Sequence, residues 1–558
     1  MLQKSFTLIL ASSLCISCAI KNDTHTTTNA LNNTHPIIGT TEPFAEHAVY
    51  FLMTDRFVDG DKSNNFTQQG KPSSATFTFD RPLIGPNNKQ ANVGYLGGDF
   101  KGVANNAKYI KDLGFDAVWL TPIIDNPNEA FTGGTKVNYG GFGDQGKTGF
   151  HGYWGVNFYK LDEHLPSSDL DYRGLNTALK ENGLKTVLDI VANHGSPAFS
   201  MPTIQPEYGK IYDDNNRLVA DHENLHPTQL DKNNPLHNFY LTQPDLAELS
   251  DLDYNNPAVM DYLVGAYLKW IDQGVDALRI DTIRHMPHTF WKAFTDKIRE
   301  KHPTIFMFGE SFNYDANFIA QHTKPENGRV SVLDFPGRKA MVEVFENPNS
   351  DFKTLLSYLH LDSNVYQNPY ELMTYYDSHD VKRLSANDNG FINANNWLFT
   401  ARGIPVVYYG SEIGFERGTK EHEGNRNYYG INNIQKAKAH PIATALTRIA
   451  NVRRNTPALQ KGKQVNLYLK GHQAAFYRVI EHNGTNQTAL VLLNKANTSH
   501  TFSIEKMLNQ GRWQEALTGK KIDLSPNQVL SHTVMPNSVA VWIFDGKVNN
   551  QDLLDAVL

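Results

Sequence analysis

The stretch DQGVDALRID, residues 272–281, contains the unit that decides the fold: a helix end, a glycine, and a short apolar strand that ends on an acid. Glycine suits the left-handed turn just past a helix end, where a side chain would clash. The helix before it begins after Asn256, a suitable N-cap, with Pro257 in its first turn. Apolar residues recur from 259 to 271 at three- and four-residue steps, which indicates one amphipathic helical face.

The same unit recurs along the chain. Glycines 114, 183 and 403 each follow a helical pattern and precede a short apolar run. The predicted strands are 49–53, 117–120, 187–191, 277–281, 305–308, 330–333, 372–376 and 406–409. Because strands that alternate with helices form parallel sheets, eight such units predict an α/β protein, a (β/α)₈ TIM barrel over residues 46–457. A doubly wound open sheet is the alternative that this pattern leaves open.

Two regions depart from the repeat. The third and fourth strands are much further apart than one helix requires, and residues 195–250 are rich in Pro, Asn, Asp and His, which predicts an inserted excursion domain after strand 3. Short alternating apolar runs replace the helical pattern late in the chain, which predicts a C-terminal antiparallel β-sandwich over 458–548. Residues 549–558 are expected to form a tail.

The N-terminus predicts export. Lys4 precedes an apolar run over 6–16, and residues 1–18 have the pattern of a signal peptide. Residues 14–18 (LCISC) resemble a lipoprotein cleavage box, with Cys18 as the candidate lipid anchor, and both cysteines of the chain lie within it. Residues 19–45 have the composition of a flexible linker. We expect an outer-membrane lipoprotein or a periplasmic protein, and otherwise a secreted one.

The composition narrows the choice of partners. Hydrophobic residues make up 40% and charged residues 20% of the chain, as is ordinary for a soluble globular protein. The formal net charge of −6 comes from scattered charges of both signs, and it gives no reason to expect nucleic acid as a partner. No obligate protein partner is evident from the sequence.

Polar side chains cluster where the predicted strands end, which is where TIM barrels carry their chemistry. For any one of them, a satisfied ion pair at the barrel rim is the simpler interpretation; their convergence from four strands favours a site. Glycoside hydrolysis needs two carboxyl groups beside the bond that breaks, one to attack and one to protonate the leaving oxygen. The residues at these strand ends are Asp189, Asn193, His194, Arg279, Asp281, Glu310, His379 and Asp380.

Four strings in this set carry a specific resemblance. They are DIVANH (189–194), LRIDTIRH (278–285), FGE (308–310) and SHD (378–380), and their order and spacing resemble the four signature regions of glycoside hydrolase family 13. Supporting strings are TDRFVDGD (54–61), HGYW (151–154) and SDLDYNN (250–256). Within that family, the chain resembles bacterial α-amylases and cyclodextrin glucanotransferases.

The resemblance implies three catalytic residues: Asp281 as nucleophile, Glu310 as acid/base, and Asp380 as the carboxylate that distorts the substrate. It further implies that Arg279 positions Asp281, that His194 and His379 hydrogen-bond the sugar, and that Tyr153 stacks beneath it. Arg284 stands where the family often has lysine, and Phe312 resembles an acceptor-side aromatic of the cyclising enzymes. The implied substrate-binding set is Tyr153, His194, Arg279, Arg284, Phe312 and His379.

The resemblance also implies Ca²⁺, a cation that prefers oxygen ligands. One site would lie between barrel and excursion domain, with ligands from Asn193, Asp251 and the backbone carbonyl of His285. A second site resembles that of the glucanotransferases. Its ligands would come from Asp59, Asp61, Asn64, Asn65, Gly97 and Asp99.

Two residues bear on the reaction. Ala247 stands where cyclising enzymes have an aromatic residue that helps a glucan curl, which favours hydrolysis, whereas Phe312 keeps transglycosylation open. The sequence therefore predicts a retaining, endo-acting α-1,4-glucan hydrolase acting on starch and maltooligosaccharides. The alternatives are a cyclodextrin glucanotransferase or other 4-α-glucan transferase, and a glucan-binding surface protein that has lost catalysis.

Overall fold

The computed structural model describes residues 36–67, 69 and 71–558. The predicted signal peptide (1–18), the candidate anchor Cys18 and most of the predicted linker lie outside these residues. Among the described helices, none is long and apolar enough to cross a membrane.

The eight predicted strands form a single parallel sheet. Its strands are β1 Val49–Leu52, β2 Ala117–Leu120, β3 Lys185–Ile190, β4 Ala277–Ile280, β5 Phe306–Gly309, β6 Ser331–Val332, β7 Met373–Thr374 and β8 Ile404–Tyr408. The order across the sheet is β6-β5-β4-β3-β2-β1-β8-β7. Leu333, after β6, pairs in parallel with Met373 and closes the cylinder. The TIM barrel is confirmed and the open sheet is excluded.

Helices alternate with the strands and share one apolar core with them. The predicted helix Pro257–Ile271 is capped as expected, because the Asn256 side chain accepts a hydrogen bond from the backbone N–H of Ala258. The principal helices are Phe100–Asn105, Ala107–Asp112, Tyr172–Glu181, Pro257–Ile271, His288–Lys301, Ala316–Ala320, Phe335–Glu346, Asp388–Leu398, Gly430–Ala437 and Pro441–Arg454.

The segment between β3 and the next helix contains short antiparallel ribbons. His194–Pro197 pairs with Leu249–Asp251, and Lys210–Tyr212 pairs with Leu218–Asp221. Its small core also includes residues from the long loop after β2, a contribution that the sequence did not indicate. This core consists of Phe131, Trp154, Met201, Tyr208 and Leu249.

The last part of the chain folds into antiparallel sheets, as predicted. The larger sheet has six strands, Lys463–Lys470, Gln473–His482, Thr485–Asn494, Gly511–Glu515, Lys521–Leu524 and Ser538–Asp545. A two-stranded sheet of His500–Ile504 and Leu530–Val534 completes the sandwich core.

The predicted linker and tail are both more ordered than expected where they are described. Ile37 is buried, and its backbone exchanges hydrogen bonds with Glu481 of the sandwich. Phe44 stacks on Phe306 at the bottom of β5, so residues 36–45 belong to the folded body and do not form a flexible tether. The predicted tail contains the helix Gln551–Val557, whose apolar side chains join the sandwich core.

Candidate active site

Strand register brings the central charges together. Arg279 of β4 is paired with Asp189 of β3, and Ile280 is paired with Gly309 of β5. Because side chains alternate along a strand, residues 279 and 281 share a face, and Glu310 follows Gly309 at the same barrel end. Three adjacent strands, β3, β4 and β5, and the residues directly after them thus supply an arginine and three carboxylates.

The buried guanidinium of Arg279 is the centre of this group. One of its terminal nitrogens lies 2.8 Å from Asp189 Oδ1 and 2.7 Å from Asp281 Oδ1, and the other lies 2.9 Å from Glu310 Oε2. Asp281 and Glu310 therefore contact the same cation from two sides. Such a cluster is expensive to bury without a purpose, because each charge loses its water shell.

Two aromatic residues hold Asp189 in place. Its Oδ2 accepts hydrogen bonds from the Tyr153 hydroxyl at 2.8 Å and from the Trp119 indole at 3.0 Å. Trp119 itself stacks on Phe51 of β1. Both carboxylate oxygens of Asp189 are therefore engaged, whereas only one oxygen of Asp281 contacts Arg279. Burial raises the pKa of Asp189 to about 7.

The surroundings of Glu310 favour its protonated form. Burial raises its pKa well above the usual range; Arg279 opposes this effect, and the charges of Asp281 and Asp380 add to it. Its Oε2 also accepts a hydrogen bond from the backbone N–H of Thr282 at 3.3 Å. Thr282 has φ +47°, a left-handed conformation that is uncommon for a β-branched residue and directly follows Asp281.

A second group of charges lines one side of the site, and we call it the ion-paired wall: His379, Asp380, Glu421 and Arg426. Arg426 lies 2.7 Å from Asp380 Oδ1 and 2.8 Å from Glu421 Oε1, and its Nε donates to the His379 carbonyl. His379 Nε2 lies 3.1 Å from the other oxygen of Asp380. Burial raises the pKa of Asp380 despite the opposing charge of Arg426.

The two predicted sugar-binding histidines are buried near this group. Burial lowers the pKa of His194, and it lowers that of His379 well below the usual value, so both rings are neutral at pH 7. Nδ1 of each has no hydrogen-bond partner among the described residues. The Tyr153 ring lies nearly parallel to that of His379, at an angle of 10°. The rings of Tyr153 and His379 thus form a pair of nearly parallel aromatic surfaces.

A different surface follows β5, and we call it the aromatic wall: Phe312, Tyr314 and Phe318. These side chains are 41%, 39% and 44% exposed. Arg284 is exposed, donates to the Phe312 carbonyl at 2.8 Å and lies over the Phe318 ring. Phe312 is two residues from Glu310, so the aromatic wall begins beside the acid.

The first predicted calcium site fits an oxygen-binding cation. Asn193 Oδ1 and Asp251 Oδ1 are buried and have no hydrogen-bond partner among the described residues, although buried polar atoms are nearly always satisfied. Asp251 Oδ2 accepts the backbone N–H of Asp245, whose carboxylate lies 3.0 Å from the His285 ring. The structure thus brings the three predicted ligand residues into one neighbourhood.

The second predicted calcium site also contains buried side-chain oxygens without hydrogen-bond partners within the ranges that the structure describes. Asp59 Oδ1, Asn64 Oδ1 and Asn65 Oδ1 are buried without partners in the described part of the chain. Gly97 has φ +88°, and a Cβ there would stand 2.5 Å from Asn65 Oδ1.

Two other predicted ligands of this second site are engaged elsewhere. Both Asp99 oxygens accept backbone or amide N–H groups. The Asp61 carboxylate faces Ser63 and Lys101.

Comparisons with known proteins agree with this geometry. The family model for the α-amylase catalytic domain matches residues 51–447. Cyclomaltodextrin glucanotransferases from Bacillus licheniformis and Klebsiella oxytoca are each 28% identical to this chain over 89% of its length, and the matches cover 67% and 77% of those proteins.

Two solved structures are similar in fold. A cyclomaltodextrin glucanotransferase with a three-domain ABC distribution has a TM-score of 0.72 and 26% identity, covering 90% of this chain and 99% of that one. The Geobacillus thermoleovorans α-amylase in complex with acarbose has a TM-score of 0.67 and 24% identity over the same shares. Because a glucanotransferase also has three domains, domain content does not separate transferase from hydrolase.

These findings define the class: a TIM-barrel enzyme that processes glucans. The chain belongs to the α-amylase family, glycoside hydrolase family 13.

Sequence reasoning missed the residues that hold this site together from a distance. Glu421 and Arg426 lie in the loop after β8, where no periodic pattern or familiar string marks them. Their only signal is the density of charge in a glycine-containing segment, which is equally typical of a solvated loop.

Proposed function

We propose that this enzyme is a retaining, endo-acting α-1,4-glucan hydrolase that cleaves starch and maltooligosaccharides. The observation that carries the proposal is the shared guanidinium of Arg279, which contacts both Asp281 and Glu310. Retaining glycosidases need two carboxyl groups roughly 5–5.5 Å apart, one ionised and one protonated. A single guanidinium between the two is compatible with that separation.

Asp281 attacks the anomeric carbon and forms a covalent glycosyl-enzyme. Arg279 fixes the orientation of Asp281 and balances its charge, and Asp189 holds Arg279 in place. Glu310, whose raised pKa keeps it protonated, gives its proton to the leaving glycosidic oxygen and later deprotonates the incoming water. The carbon–oxygen bond to Asp281 then breaks, and the product keeps the α configuration.

Asp380 stabilises the distorted sugar from the ion-paired wall. Its oxygens are directed by Arg426 and by the ring of His379. The neutral histidines His194 and His379 hydrogen-bond the sugar hydroxyls, and Tyr153 stacks beneath the ring. These contacts orient the anomeric carbon towards Asp281, an arrangement that lowers the barrier by positioning.

Calcium would be held at two places. Asn193, Asp251 and the His285 carbonyl would form one site, and Asp59, Asn64, Asn65 and Gly97 would form the other. The ion would supply charge that satisfies the unpaired buried oxygens. Since Asn193 precedes His194, the first site would fix the orientation of a sugar-binding residue.

A transferase is the second candidate, and two observations favour it. The similar curated proteins named above are cyclomaltodextrin glucanotransferases, and Phe312 is exposed beside the acid, where an incoming sugar could stack. Against it, Ala247 is an exposed residue with φ +49° and offers no ring for a curling chain. We therefore propose that the glycosyl group is transferred mainly to water and not to a sugar hydroxyl.

We also propose that the protein is exported, and that Cys18 carries a lipid that tethers it to the outer membrane. The support is the sequence pattern of residues 1–18 alone. Metabolic labelling with a fatty-acid analogue tests this proposal, because a Cys18→Ala variant should take up no label.

The direct test of function incubates the purified protein with soluble starch or maltoheptaose and calcium, beside an Asp281→Asn variant. Reducing ends are measured and products are separated by chromatography. Linear maltooligosaccharides from the wild type alone support the hydrolase. Cyclic products, or longer chains built from maltotriose, would assign the transferase instead. Binding without turnover by either protein would leave only a glucan-binding role.

A further inference from the structure

The loop after β7 supplies two members of the ion-paired wall, and two adjacent residues of the loop after β8 hold its backbone. The side-chain amide of Asn425 donates to the Ser378 carbonyl at 3.0 Å and to the Val381 carbonyl at 2.6 Å. Nε of Arg426 donates to the His379 carbonyl at 3.1 Å. Two neighbouring side chains thus bind three backbone carbonyls within one stretch of four residues.

The base of the loop after β7 is fixed as well. Oδ1 of Asp377 accepts the backbone N–H of Leu384 at 2.5 Å, and Oδ2 accepts the Ser411 hydroxyl at 2.7 Å. The first bond closes the base of the loop, and the second ties that base to the segment after β8. Because both ends of the loop are held, the position of the residues between them depends on the donors that they meet.

Asn425 is completely buried, so its side chain cannot touch a bound sugar. Its backbone carbonyl accepts Nε and Nη2 of Arg383 at 3.1 and 2.9 Å, and Nη1 of the same guanidinium donates to the Tyr409 carbonyl at 2.9 Å. The two loops are therefore joined by donors from both sides. Any influence of Asn425 on the reaction must pass through the residues that it holds.

We propose that Asn425 is a positioning residue for bond cleavage: by holding the carbonyls before and after Asp380, it fixes where that carboxylate stands beside the sugar. Arg426 directs the Asp380 carboxylate itself, whereas Asn425 sets the backbone from which the side chain extends. The inference rests on the proposed function, which gives Asp380 its role. Placement of this kind matters, because a shift of about 1 Å can cost roughly 100-fold in rate.

The first test measures kcat and KM of Asn425→Ala on α-maltotriosyl fluoride and on amylose. Without the two amide donors the loop should shift to find other partners for its carbonyls, and kcat should fall about 10–100-fold on both substrates with KM nearly unchanged. Asn494→Ala is the matched control and should keep the kcat of the wild type. Asn494 is an equally buried amide in the sandwich, and it donates to the carbonyls of Thr498, Val534 and Met535.

A double variant separates positioning from a general loss of structure. Asp380→Asn combined with Asn425→Ala should be less than about 3-fold slower than Asp380→Asn alone, because Asn425 acts through a residue that is already disabled. Independent effects would instead multiply.

The pH profile gives a readout that damage to the fold would not move. Burial raises the pKa of Glu310, the charges of Asp281 and Asp380 add to the rise, and Arg279 opposes it. A displaced Asp380 should therefore move the alkaline fall of kcat/KM for Asn425→Ala to lower pH, in the direction expected for loss of that charge.

Three results would count against the inference. An unchanged kcat in Asn425→Ala, or losses that multiply in the double variant, would overturn it while the proposed function stands. Asn425→Ser keeps one hydroxyl donor and should show the same changes at smaller size, which covers the case that Asn425→Ala does not fold. A wild type without activity on the fluoride would refute the proposed function, and the inference with it.

Discussion

The ion-paired wall and the aromatic wall flank the same two carboxylates but are built differently. In the first, Asp380, Arg426 and Glu421 are joined by contacts of 2.7 and 2.8 Å and are largely shielded from water. In the second, Phe312, Tyr314 and Phe318 are each about two-fifths exposed. Buried charges fix one geometry firmly, because a shifted partner leaves an unpaired charge. Exposed rings tolerate variation in what they contact.

This difference suggests a division of labour. The ion-paired wall should set the rate of bond breaking, because Asp380 and His379 are proposed to contact the reacting sugar. The aromatic wall should set which chains bind on the leaving side and which acceptor takes the intermediate. The two walls should therefore respond to substitution in different kinetic parameters.

The largest effect is expected at the centre of the ion-paired wall. Asp380→Asn keeps the shape but removes the charge that stabilises the distorted sugar, and kcat should fall by roughly 10²–10³-fold on every substrate. Steady-state kinetics with α-maltotriosyl fluoride and amylose measures this. Asp388→Asn, a surface acid paired with Arg417, is the control. A change in KM alone would show that Asp380 acts in substrate binding and not in the rate of bond breaking.

A smaller loss is expected one contact further out. Arg426→Gln leaves Asp380 and Glu421 without their shared cation, and the resulting misplacement should lower kcat by roughly 10–100-fold. Arg426→Lys should recover part of this loss, because the charge remains while the two-sided geometry is lost. An unchanged kcat in Arg426→Gln would show that Asp380 is positioned by other groups.

On the aromatic wall, Phe312→Ala should change how the glycosyl-enzyme is divided between transfer and hydrolysis. Removing this ring should lower the ratio of transfer to hydrolysis by about 10-fold with maltose as acceptor, the loss of roughly one aromatic contact. The ratio is read from products formed with α-maltotriosyl fluoride, while total fluoride release should change little. A fall in fluoride release equal to that of Asp380→Asn would contradict the division of labour.

The two proposed calcium sites should also differ. Asn193→Ala, next to His194, should lower turnover a few-fold and weaken binding of one ion, whereas Asn65→Ala should lower the melting temperature by several degrees with little effect on turnover. Calorimetry with added calcium and thermal unfolding in chelator measure both. Identical behaviour of the two variants would argue against separate roles.

The smallest expected effect is a shift in pH dependence. Glu310 must be protonated to act, so activity is lost as pH rises through its raised pKa. The negative charge of Asp380 contributes to raising that pKa, so Asp380→Asn should move the alkaline fall of kcat/KM on maltoheptaose to lower pH, by up to about one unit. A shift to higher pH would contradict the electrostatic account.

The sequence predicted the barrel well because its information is local. Four of the eight strands, among them 277–281, follow a glycine turn, every strand is a short apolar run, and parallel pairing follows from the alternation with helices. The central site was predictable for the same reason, since Asp189, Arg279 and Glu310 end those strands.

What the sequence did not reveal depends on contacts between distant segments. Ile37 joins the apolar core of the sandwich and pairs with the backbone of Glu481, but the polar composition of the predicted linker gave no sign of this pairing. Arg426 reaches Asp380 from another loop, and the exposed ring of Tyr314 packs against Phe335 behind it. Such partners are set by the closed barrel and not by local pattern.

The proposed mechanism requires Asp281 to form a covalent glycosyl-enzyme intermediate. The most direct measurement treats the protein with a 5-fluoro-maltosyl fluoride, which forms the glycosyl-enzyme faster than water removes it, and then maps the added mass by peptide mass spectrometry. We predict one 5-fluoro-maltosyl group on Asp281, and none on Asp281→Asn. Label on Glu310 or Asp380, or turnover with inversion of the anomeric configuration and no label, would contradict the account.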